Sequence, residues 1–372
     1  MKIIVLRSNF MEALSSVERG VGGANSNLPI LRNILLRAEG SKITAVSTNL
    51  EFAVTYAFSG KVVENGEVAV PFSILHSIVK NVSSERITLE LREDKVRIET
   101  DNYEASVQAY NSKEYPIIPS MHENISIIRV NSNEFVEALQ GVLVATQYSE
   151  IRPEISGVFV KNDSESVFFV ATDSFRLAEK KLGNAKYDPG SGDVKSIIPL
   201  RTAEEALRII SNQGDKDVVI EIDATQISFN TDTVSIVSRL IDGNFPEYRA
   251  IIPSGADMEI SASKQELVNA IKLTSSFSGK LNDISLVLHE GGKHIEFFSS
   301  DSAVGQNTYK VPAKIKGGKT ETLVFNWRYL LDGIKIFSGS DIVVGINAPE
   351  KPVKINDPKD PSLVYVVMPI KN

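Results

Sequence analysis

One pattern of polar interruption occurs three times in this sequence at nearly constant spacing. Three apolar, strand-like runs are each broken by a short polar step, centred on Asn49, Asp173 and Asp301, and these steps lie 124 and 128 residues apart. A helix-like segment precedes each step, and these segments are separated by 125 and 132 residues. A period of this length predicts a chain built from three copies of one structural unit.

Each copy carries the same order of predicted elements. A first amphipathic segment, such as EFVEALQGVL at 134–143, is followed by strands and then by a second helical segment, such as IPLRTAEEALRII at 198–210. Alternating apolar and polar residues follow the second segment, as in VRIETDNYEASVQAY, and are typical of half-buried strands. The sequence therefore predicts an α+β fold whose units each have two helices and antiparallel sheets.

Prolines mark the ends of the first two units. The segments EYPIIP and FPEYRAIIP end at Pro119 and Pro253, and proline stops a strand because it lacks the main-chain N–H that a ladder needs. Each unit is long enough to bury a core of its own. We place the three domains at residues 1–125, 126–253 and 254–372.

The recurring Asn or Asp is typical of a hairpin turn, because its short side chain accepts hydrogen bonds from nearby main-chain N–H groups. This structural role accounts for Asn49 and Asp301. The second copy also carries an aromatic and a cationic side chain, Phe175 and Arg176, directly after its turn. We expect these two side chains to have a further role that is local to the second copy.

Composition excludes several classes of protein. The chain has 372 residues, 42% of them hydrophobic and 23% charged, which is typical of a folded globular protein. It contains no cysteine, so disulfides, thiolate nucleophiles and cysteine-ligated zinc are excluded. The N-terminus MKIIVLRSN has too few consecutive apolar residues for a signal peptide, and no apolar run in the sequence is long enough to span a membrane. We therefore expect a cytoplasmic protein.

Motifs of catalysis and cofactor binding are incomplete in this sequence. KGGKTE lacks the first glycine of a phosphate loop, and GVGGANS lacks the third glycine of a dinucleotide fingerprint. HEGGKH has the wrong spacing for a zinc protease and reads as a hairpin turn. His76 and His122 have no serine or carboxylate partner within a recognisable motif, so we expect neither an enzyme nor a cofactor or metal site.

The whole chain resembles one family, the bacterial sliding clamps that serve as beta subunits of the replicative DNA polymerase. The resemblance is carried by LPILRNILL at 28–36, ATDSFRLA at 171–178, LIDGNFPEYRAIIP at 240–253 and the terminus YVVMPIKN at 365–372. It implies three similar clamp domains per chain and a head-to-tail homodimer. Such a dimer closes a ring of six domains, with helices inside and sheets outside.

The implied function is a clamp that encircles double-stranded DNA and tethers the polymerase for processive synthesis. A domain of this size has a radius of gyration of roughly 14 Å, so a ring of six leaves a hole of about 35 Å and a ring of three only about 5 Å. The alternative is a peptide-binding scaffold whose domains never encircle DNA. Enclosure needs no strong grip on phosphates, which makes the net charge of −7 acceptable for a DNA partner.

The resemblance also implies a hydrophobic pocket between the second and third domains, in which polymerase, clamp loader and repair proteins dock through short linear peptides. Family members often have Gly-His where this chain has Ser174-Phe175, so peptide preference is expected to differ. The residues that match pocket positions are Arg152, Ile155, Thr172, Phe175, Arg176, Leu177, Pro246, Ile251, Asn326, Tyr329, Pro352, Val366, Met368, Pro369 and Ile370.

Two further sets of residues follow from the ring. Basic side chains in or beside the helical segments are expected to face DNA and to make backbone contacts without reading sequence. These are Arg19, Lys80, Arg201, Arg208, Lys264, Lys272, Lys280, Arg328 and Lys335. The segment at 23–27, where the family often has a basic DNA contact, lacks Lys and Arg here. For the dimer interface, Phe277, Tyr103 and Val107 match the family's contact regions.

Overall fold

The computed structural model of the protein describes residues 1–23, 28–121, 125–163, 166–188, 190, 192–214 and 216–370. These residues form two compact units. The N-terminal unit comprises Met1–Ser132, Asp188–Gly192 and Arg208–Leu240, and the C-terminal unit comprises Asn133–Tyr187, Asp193–Leu207 and Ile241–Asn372. Within the described residues, none of the helices combines the length and the apolar character needed to cross a membrane.

Six α-helices occur in the described residues, one in each predicted helical segment. They are α1 (Arg7–Val17), α2 (Phe72–Asn81), α3 (Ser132–Leu143), α4 (Leu200–Ile210), α5 (Lys264–Ser275) and α6 (Trp327–Lys335). The prediction of two helices per repeat is confirmed. The period of apolar residues allows this prediction, because side chains three and four residues apart share one face of a helix.

Strands make up most of the remaining structure. In the first part of the chain they are β1 (Lys2–Leu6), β2 (Asn33–Glu39), β3 (Lys42–Thr48), β4 (Phe52–Phe58), β5 (Gly60–Glu64), β6 (Gly66–Pro71), β7 (Arg86–Arg92), β8 (Lys95–Glu99) and β9 (Glu104–Gln108). In the middle part they are β10 (Ser126–Asn131), β11 (Gly157–Asp163), β12 (Ser166–Thr172), β13 (Arg176–Leu182), β14 (Lys186–Asp188), β15 (Lys195–Pro199), β16 (Asp217–Ile222), β17 (Gln226–Asn230) and β18 (Val234–Arg239).

The last part of the chain contributes eight further strands. They are β19 (Met258–Ser263), β20 (Asp283–Leu288), β21 (His294–Asp301), β22 (Gly305–Gly317), β23 (Glu321–Asn326), β24 (Asp341–Ile346), β25 (Val353–Asp357) and β26 (Asp360–Val367). Short 3-10 turns connect several of these elements.

The N-terminal unit contains two antiparallel sheets. One has the strand order β5-β1-β7-β8-β9, and the other includes eight consecutive strands in the order β10-β16-β17-β18-β4-β3-β2-β6. In the second sheet β18 pairs with β4 although the two strands are far apart in sequence, with Val234 opposite Tyr56 and Ser238 opposite Phe52. This ladder joins the first predicted domain to the second.

The C-terminal unit contains one continuous run of twelve strands in the order β15-β11-β12-β13-β26-β25-β24-β19-β22-β21-β20-β23. Here β13 pairs with β26, with Arg176 opposite Val367 and Lys180 opposite Leu363. This second ladder joins the second predicted domain to the third. It also brings the ATDSF turn beside the C-terminal strand.

Helix packing follows the apolar stripes. In α1 the residues Phe10, Ala13, Leu14 and Val17 are buried, at spacings that place them on one face. This face packs against α2 and β4. In the C-terminal unit α5 packs on α6, on β21 and on β22. Each of these two helix pairs therefore covers its own sheet.

The polar interruptions are hairpin turns, as the sequence predicts. In the first copy Asn49 Oδ1 accepts hydrogen bonds from the amides of Glu51 and Phe52, at 3.0 Å each. The second copy repeats these bonds with Asp173 as acceptor. The residue after each Asn or Asp has a positive φ, 73° at Leu50 and 79° at Ser174, which is uncommon for residues other than glycine.

The glycine-rich motifs are also turns. HEGGKH connects β20 to β21, and Gly291 there has a φ of 66°. KGGKTE connects β22 to β23, and Gly317 and Gly318 have φ values of 71° and 77°. In these positions only glycine adopts the left-handed conformation without steric cost. Residues 24–26 of GVGGANS lie outside the described residues, as does His122.

Candidate functional site

A groove of about 920 Å³ opens in the C-terminal unit beside the turn between β12 and β13. Apolar side chains from β13, β26 and the segment after β18 contribute much of the lining, and Asp257, Asn347 and Lys351 are among its polar residues. The lining residues are Thr172, Ser174, Phe175, Arg176, Leu177, Ala250, Ile251, Pro253, Ser254, Gly255, Ala256, Asp257, Asn347, Lys351, Pro352, Val366 and Met368.

The turn between β12 and β13 fixes the position of Phe175. Asp173 Oδ1 accepts hydrogen bonds from the amides of Phe175 and Arg176 at 3.0 Å each. Thr172 Oγ1 accepts from the amide of Ser174 at 3.2 Å and donates to the carbonyl of Arg176 at 2.7 Å. The main chain of Phe175 is thus held in place, while its side chain is 59% exposed.

Arg176 organises one side of the groove. Its Nε donates to Asp173 Oδ2 at 2.9 Å and its Nη1 donates to Asp332 Oδ2 at 3.0 Å. Its guanidinium carbon lies 4.3 Å from the centre of the Tyr329 ring, a cation–π contact. Burial lowers the pKa of Arg176, but the interaction with Tyr365 and the hydrogen bond to Asp173 outweigh it, so the net direction is upward.

The C-terminal strand completes the groove. The amide of Met368 donates to the carbonyl of Phe175 at 2.8 Å, which extends the β13–β26 ladder beyond its last paired residues. The hydroxyl of buried Tyr365 donates to the carbonyl of Tyr329 at 2.8 Å, and burial raises the pKa of this hydroxyl. The amide of Ile370 donates to the carbonyl of Val324 at 2.7 Å. These bonds tie the terminus to both β13 and α6.

Eight of the fifteen residues predicted for the pocket line this groove directly. They are Thr172, Phe175, Arg176, Leu177, Ile251, Pro352, Val366 and Met368. Leu177 and Val366 are also almost fully buried and belong to a hydrophobic cluster with Phe159, Val170 and Tyr248. Their side chains therefore form the floor of the groove and part of the core at once.

The other predicted pocket residues lie around the groove or in its support. Arg152 Nη1 donates to Ser174 Oγ at 2.9 Å, and Tyr329 stacks with Phe175 and Arg176. Asn326 Oδ1 accepts from the amide of Arg328 and caps α6. The remaining four do not line the groove: Ile155 and Pro369 are buried, Pro246 is half-buried, and Ile370 is exposed at the terminus.

The motif FPEYRAIIP is in large part structural. Phe245 stacks on Phe159 with ring centres 4.6 Å apart, and Tyr248 is buried against the same cluster. The Tyr248 hydroxyl donates to Glu179, and burial together with this hydrogen bond raises its pKa. The packing of these aromatic rings on β11 and β13 positions Ile251 at the groove.

Several groove residues were not predicted from the sequence. Ser174 was seen only as a departure from the family pattern, although its hydroxyl accepts a hydrogen bond from Arg152. The stretch at 253–257 and the residues Asn347 and Lys351 were not predicted. The side chain of Asn347 holds this stretch, because it accepts from the amide of Asp257 and donates to the carbonyl of Gly255. No local sequence motif predicts this contact.

The basic residues predicted to face DNA differ in their surroundings. Lys80, Arg201, Lys272 and Lys335 are exposed and lie on α2, α4, α5 and α6. Arg19 and Lys280 are exposed but lie just beyond the ends of α1 and α5, and Arg208 is half-buried on α4. Arg328 lies 5.0 Å from the Trp327 ring and donates to Asn282. The Nζ of Lys264 donates to the carbonyl of Phe337, so this lysine supports the end of α6.

The three residues predicted for the dimer interface are also placed differently. Tyr103 is exposed just before β9. Phe277 lies beside the main chain of Gly305, at the start of β22. Val107 in β9 is only 5% exposed, so its side chain belongs to the core of its own unit.

The described residues contain no group of three or more His, Asp or Glu side chains arranged to hold a metal ion. The strongest cluster is His289 and His294 around Glu296, which also pairs with Lys310 at 3.2 Å. Hydrogen bonds from His294 and Lys310 lower the pKa of Glu296. Its hydrogen bond from His294 and its ion pair with Lys310 account for Glu296 without a metal ion.

Comparison with known proteins matches three family models in succession. They are the N-terminal domain of the DNA polymerase III beta subunit at residues 1–119, its central domain at 129–247 and its C-terminal domain at 249–371. The repeated α+β units, joined by ladders and carrying an apolar groove, define a clamp protein. The chain belongs to the family of DNA polymerase III beta subunits, the bacterial sliding clamps.

Relatives and solved structures agree with this assignment. The chain is 26% identical to the beta sliding clamp of Synechococcus elongatus over 376 residues, covering 100% of this chain and 99% of that protein. The fold matches the sliding clamp of Bacillus subtilis with a TM-score of 0.92 at 24% identity, over 100% and 99% of the two chains. It matches the Bartonella birtlesii clamp bound to griselimycin with a TM-score of 0.92 at 25% identity, over the full length of both.

Proposed function

We propose that two copies of this DNA sliding clamp pair head to tail and close a ring around duplex DNA. The support comes from strand pairing within one chain. Each of β4 and β13, the strands that follow the Asn49 and Asp173 turns, pairs with a strand from the next repeat, β18 and β26 respectively. The proposed domains are residues 1–125, 126–253 and 254–372.

The third copy of this arrangement lacks a partner in the same chain. β22 follows the Asp301 turn and pairs with β21 along one edge from Gly305 to Pro312. Within the part of the chain that the structure describes, no strand pairs with the other edge of Gly305–Val311, and β9 pairs only with β8. Because β18 and β26 each pair with a strand of the preceding repeat, whereas β9 has a ladder partner on one edge alone among the described residues, a β9–β22 ladder between two chains completes the pattern. These two free edges are the observation that carries the proposal.

The register of the intermolecular ladder follows from the two ladders within the chain. The paired stretches Phe52–Tyr56 and Arg176–Lys180 begin directly after their turns. The third turn is one residue longer, since Asp301 is opposite Gly305, four residues on, whereas the amide of Asp173 donates to the carbonyl of Arg176, three residues on. We therefore expect 305–309 to pair antiparallel with 104–108 of the second copy.

Exposed apolar side chains accompany the free edges. Leu273 is 55% exposed at the end of α5, and its carbonyl accepts a hydrogen bond from Asn307 of β22. Leu281 is 79% exposed just beyond the same helix, and Tyr103 is exposed beside β9. Burying such side chains between two copies releases them from water, which favours a stable dimer.

Enclosure accounts for DNA binding by an acidic chain. The exposed lysines and arginines on α2, α4, α5 and α6 make loose phosphate contacts, while the closed ring prevents dissociation. In this arrangement the clamp slides without reading sequence. The protein acts as a tether and performs no catalytic step of its own.

The groove beside Phe175 is the proposed docking site for linear peptides of the replicative polymerase, the clamp loader and repair proteins. Its apolar floor of Leu177, Ile251, Val366 and Met368 suits leucine-like or aromatic anchors, and a flexible methionine adapts to different side chains. The Bartonella birtlesii clamp with the same fold binds griselimycin.

Topology tests the ring directly. We expect the purified chain to have twice its mass of 40.8 kDa in solution. Loaded onto nicked circular DNA by a clamp loader, it should remain bound at high salt and should be released when the circle is cut. A non-encircling scaffold would remain bound, or be released, regardless of DNA topology. Blocking both ends of the cut DNA with bulky protein should restore retention of a ring.

A charge in the groove tests peptide docking. Met368→Lys places an ammonium among apolar side chains and should abolish binding of a polymerase-derived peptide, because the groove offers the charge little water. Fluorescence anisotropy of the labelled peptide measures its affinity. Ile151→Lys, a change at a side chain that is 91% exposed and outside the groove, is the control and should bind normally. Unchanged binding by Met368→Lys would contradict the docking site.

A further inference from the structure

We infer that Phe175 makes this clamp select peptides with an aromatic side chain, which stacks on its exposed ring beside Tyr329. The inference rests on the peptide-docking role proposed above and adds the class of side chain that the groove prefers. Four observations on the described residues support it.

The ring of Phe175 is presented on a fixed main chain. Its amide is held by Asp173 Oδ1 at 3.0 Å, and its carbonyl accepts from the amide of Met368 at 2.8 Å. The preceding Ser174 is locked at a φ of 79°, with its hydroxyl bound by Arg152. Because the main chain around Phe175 is already ordered, the clamp loses little entropy when a partner packs on the ring.

The ring of Phe175 is exposed and forms part of the lining of the groove. The side chain of Phe175 is 59% exposed, and it lines the groove together with Leu177 and Met368. A surface phenylalanine costs solubility and gains nothing from water. The exposed ring of Phe175 is therefore suited to a partner that covers it.

The neighbouring aromatic contact is open. The rings of Phe175 and Tyr329 are inclined by 25° with centres 6.4 Å apart. In the same unit Phe159 and Phe245 form a closed stack, with centres 4.6 Å apart and an inclination of 3°. The wider contact leaves much of the Phe175 face uncovered, and a further ring can join it in the same orientation.

Tyr329 is in turn held by a cation. The Arg176 guanidinium lies 4.3 Å from the Tyr329 ring centre and is fixed by Asp173 and Asp332. The three side chains form a row that ends at the exposed ring of Phe175. An aromatic side chain of a peptide extends this row, whereas an aliphatic one covers the ring without the favourable ring–ring geometry. This geometry corresponds to about a two- to tenfold difference in affinity.

Selection from random heptapeptides displayed on phage provides the test. The full-length wild-type chain is the bait, and only peptides that fail to bind Met368→Lys are kept as groove ligands. We expect these peptides to share an aromatic residue at one position. In a synthetic copy of the best peptide, replacing this residue by cyclohexylalanine, which has similar bulk and no π face, should weaken binding about two- to tenfold.

Phe175→Leu is the matched variant on the protein. It should bind the aromatic and the cyclohexyl peptides equally, and its thermal unfolding should match that of the wild type because the ring is exposed. Groove ligands without an aromatic preference, or a preference that persists in Phe175→Leu, would overturn the inference and leave peptide docking intact. If no selected peptide depended on Met368, the docking role itself would fail, and the inference with it.

Discussion

Arg176 and Asp173 form a nearly buried ion pair in which Nε donates to Oδ2 at 2.9 Å, with side chains 11% and 2% exposed. Arg176→Ala leaves the Asp173 carboxylate with its main-chain donors but without its cation. We expect the free energy of unfolding to fall by about 2–3 kcal/mol, the low end for breaking a buried pair, because two main-chain hydrogen bonds remain. Urea unfolding measures this loss.

Arg176→Lys separates the charge from the geometry. Lysine keeps the positive charge but has a single ammonium, which cannot reach Asp173 and Asp332 and also stack on Tyr329. We therefore expect it to recover less than half of the stability lost in Arg176→Ala. Full recovery would mean that charge alone accounts for the pair.

The pair of Lys180 and Asp360 makes the β13–β26 ladder sensitive to acid. Lys180 Nζ lies 3.1 Å from Asp360 Oδ2 and 2.7 Å from Ser362 Oγ, and Lys180 is largely buried. Burial raises the pKa of Asp360, but the hydrogen bonds from Ser362 and Lys180 outweigh it, so this pKa lies below its ordinary value of 3.8. Stability from this carboxylate is present at neutral pH and is lost as the pH falls through the lowered pKa.

Asp360→Asn tests this link. At pH 7 the variant should be less stable than the wild type by about 1–3 kcal/mol, the cost of leaving a buried charge with one partner fewer. The difference should begin to shrink near pH 4, where the carboxylate of the unfolded chain becomes protonated, and should be lost below the lowered pKa of the folded state. Asp163→Asn, which removes an exposed pair with Arg249, is the control and should cost at most about 1 kcal/mol. A difference independent of pH would contradict this role for Asp360.

Local sequence patterns were sufficient to predict the helices and the turns but not the whole groove. The six helices follow from apolar spacing, and the turns at Asn49 and Asp173 follow from side chains that bond the next amides. Both signals act over a few residues. The polar part of the groove depends on Asn347 holding Asp257, a contact across 90 residues that no local pattern encodes.

The sequence also did not predict which apolar side chains are exposed in the folded chain. The side chain of Val107, a residue predicted at the dimer interface, is buried in its own unit, because a strand presents alternate residues to opposite faces, so it is the main chain of Val107 that would join the proposed ladder. Leu273, in contrast, reads as one more apolar residue of an amphipathic helix but is exposed at its end. Whether such a side chain is buried or exposed depends on where its helix or strand ends. These ends are the least certain feature of a sequence-based prediction.

Leu273→Asp should convert the proposed dimer into a monomer. The change places a carboxylate on the exposed apolar surface beside the free edge of β22, where closure of the ring would bury it without a partner. Light scattering should report 40.8 kDa in place of twice this mass. Ile151→Asp carries the same change at a more exposed side chain away from β22 and should stay dimeric. A Leu273→Asp variant that remained dimeric would place the interface elsewhere.

Two lysines of α5 allow DNA contact to be separated from stability. Lys272 is exposed in the last turn, whereas the Nζ of Lys264 donates to the carbonyl of Phe337. Lys272→Gln should reduce the slope of log affinity against log salt by about 0.9, the amount for one lost phosphate contact, and leave unfolding unchanged. Lys264→Gln should leave this slope unchanged and lower the free energy of unfolding by about 1.5–3 kcal/mol, because it removes a charged hydrogen bond. Filter binding to short duplex DNA at several salt concentrations measures the slopes. Equal slopes for Lys272→Gln and the wild type would remove Lys272 from the proposed DNA-facing surface.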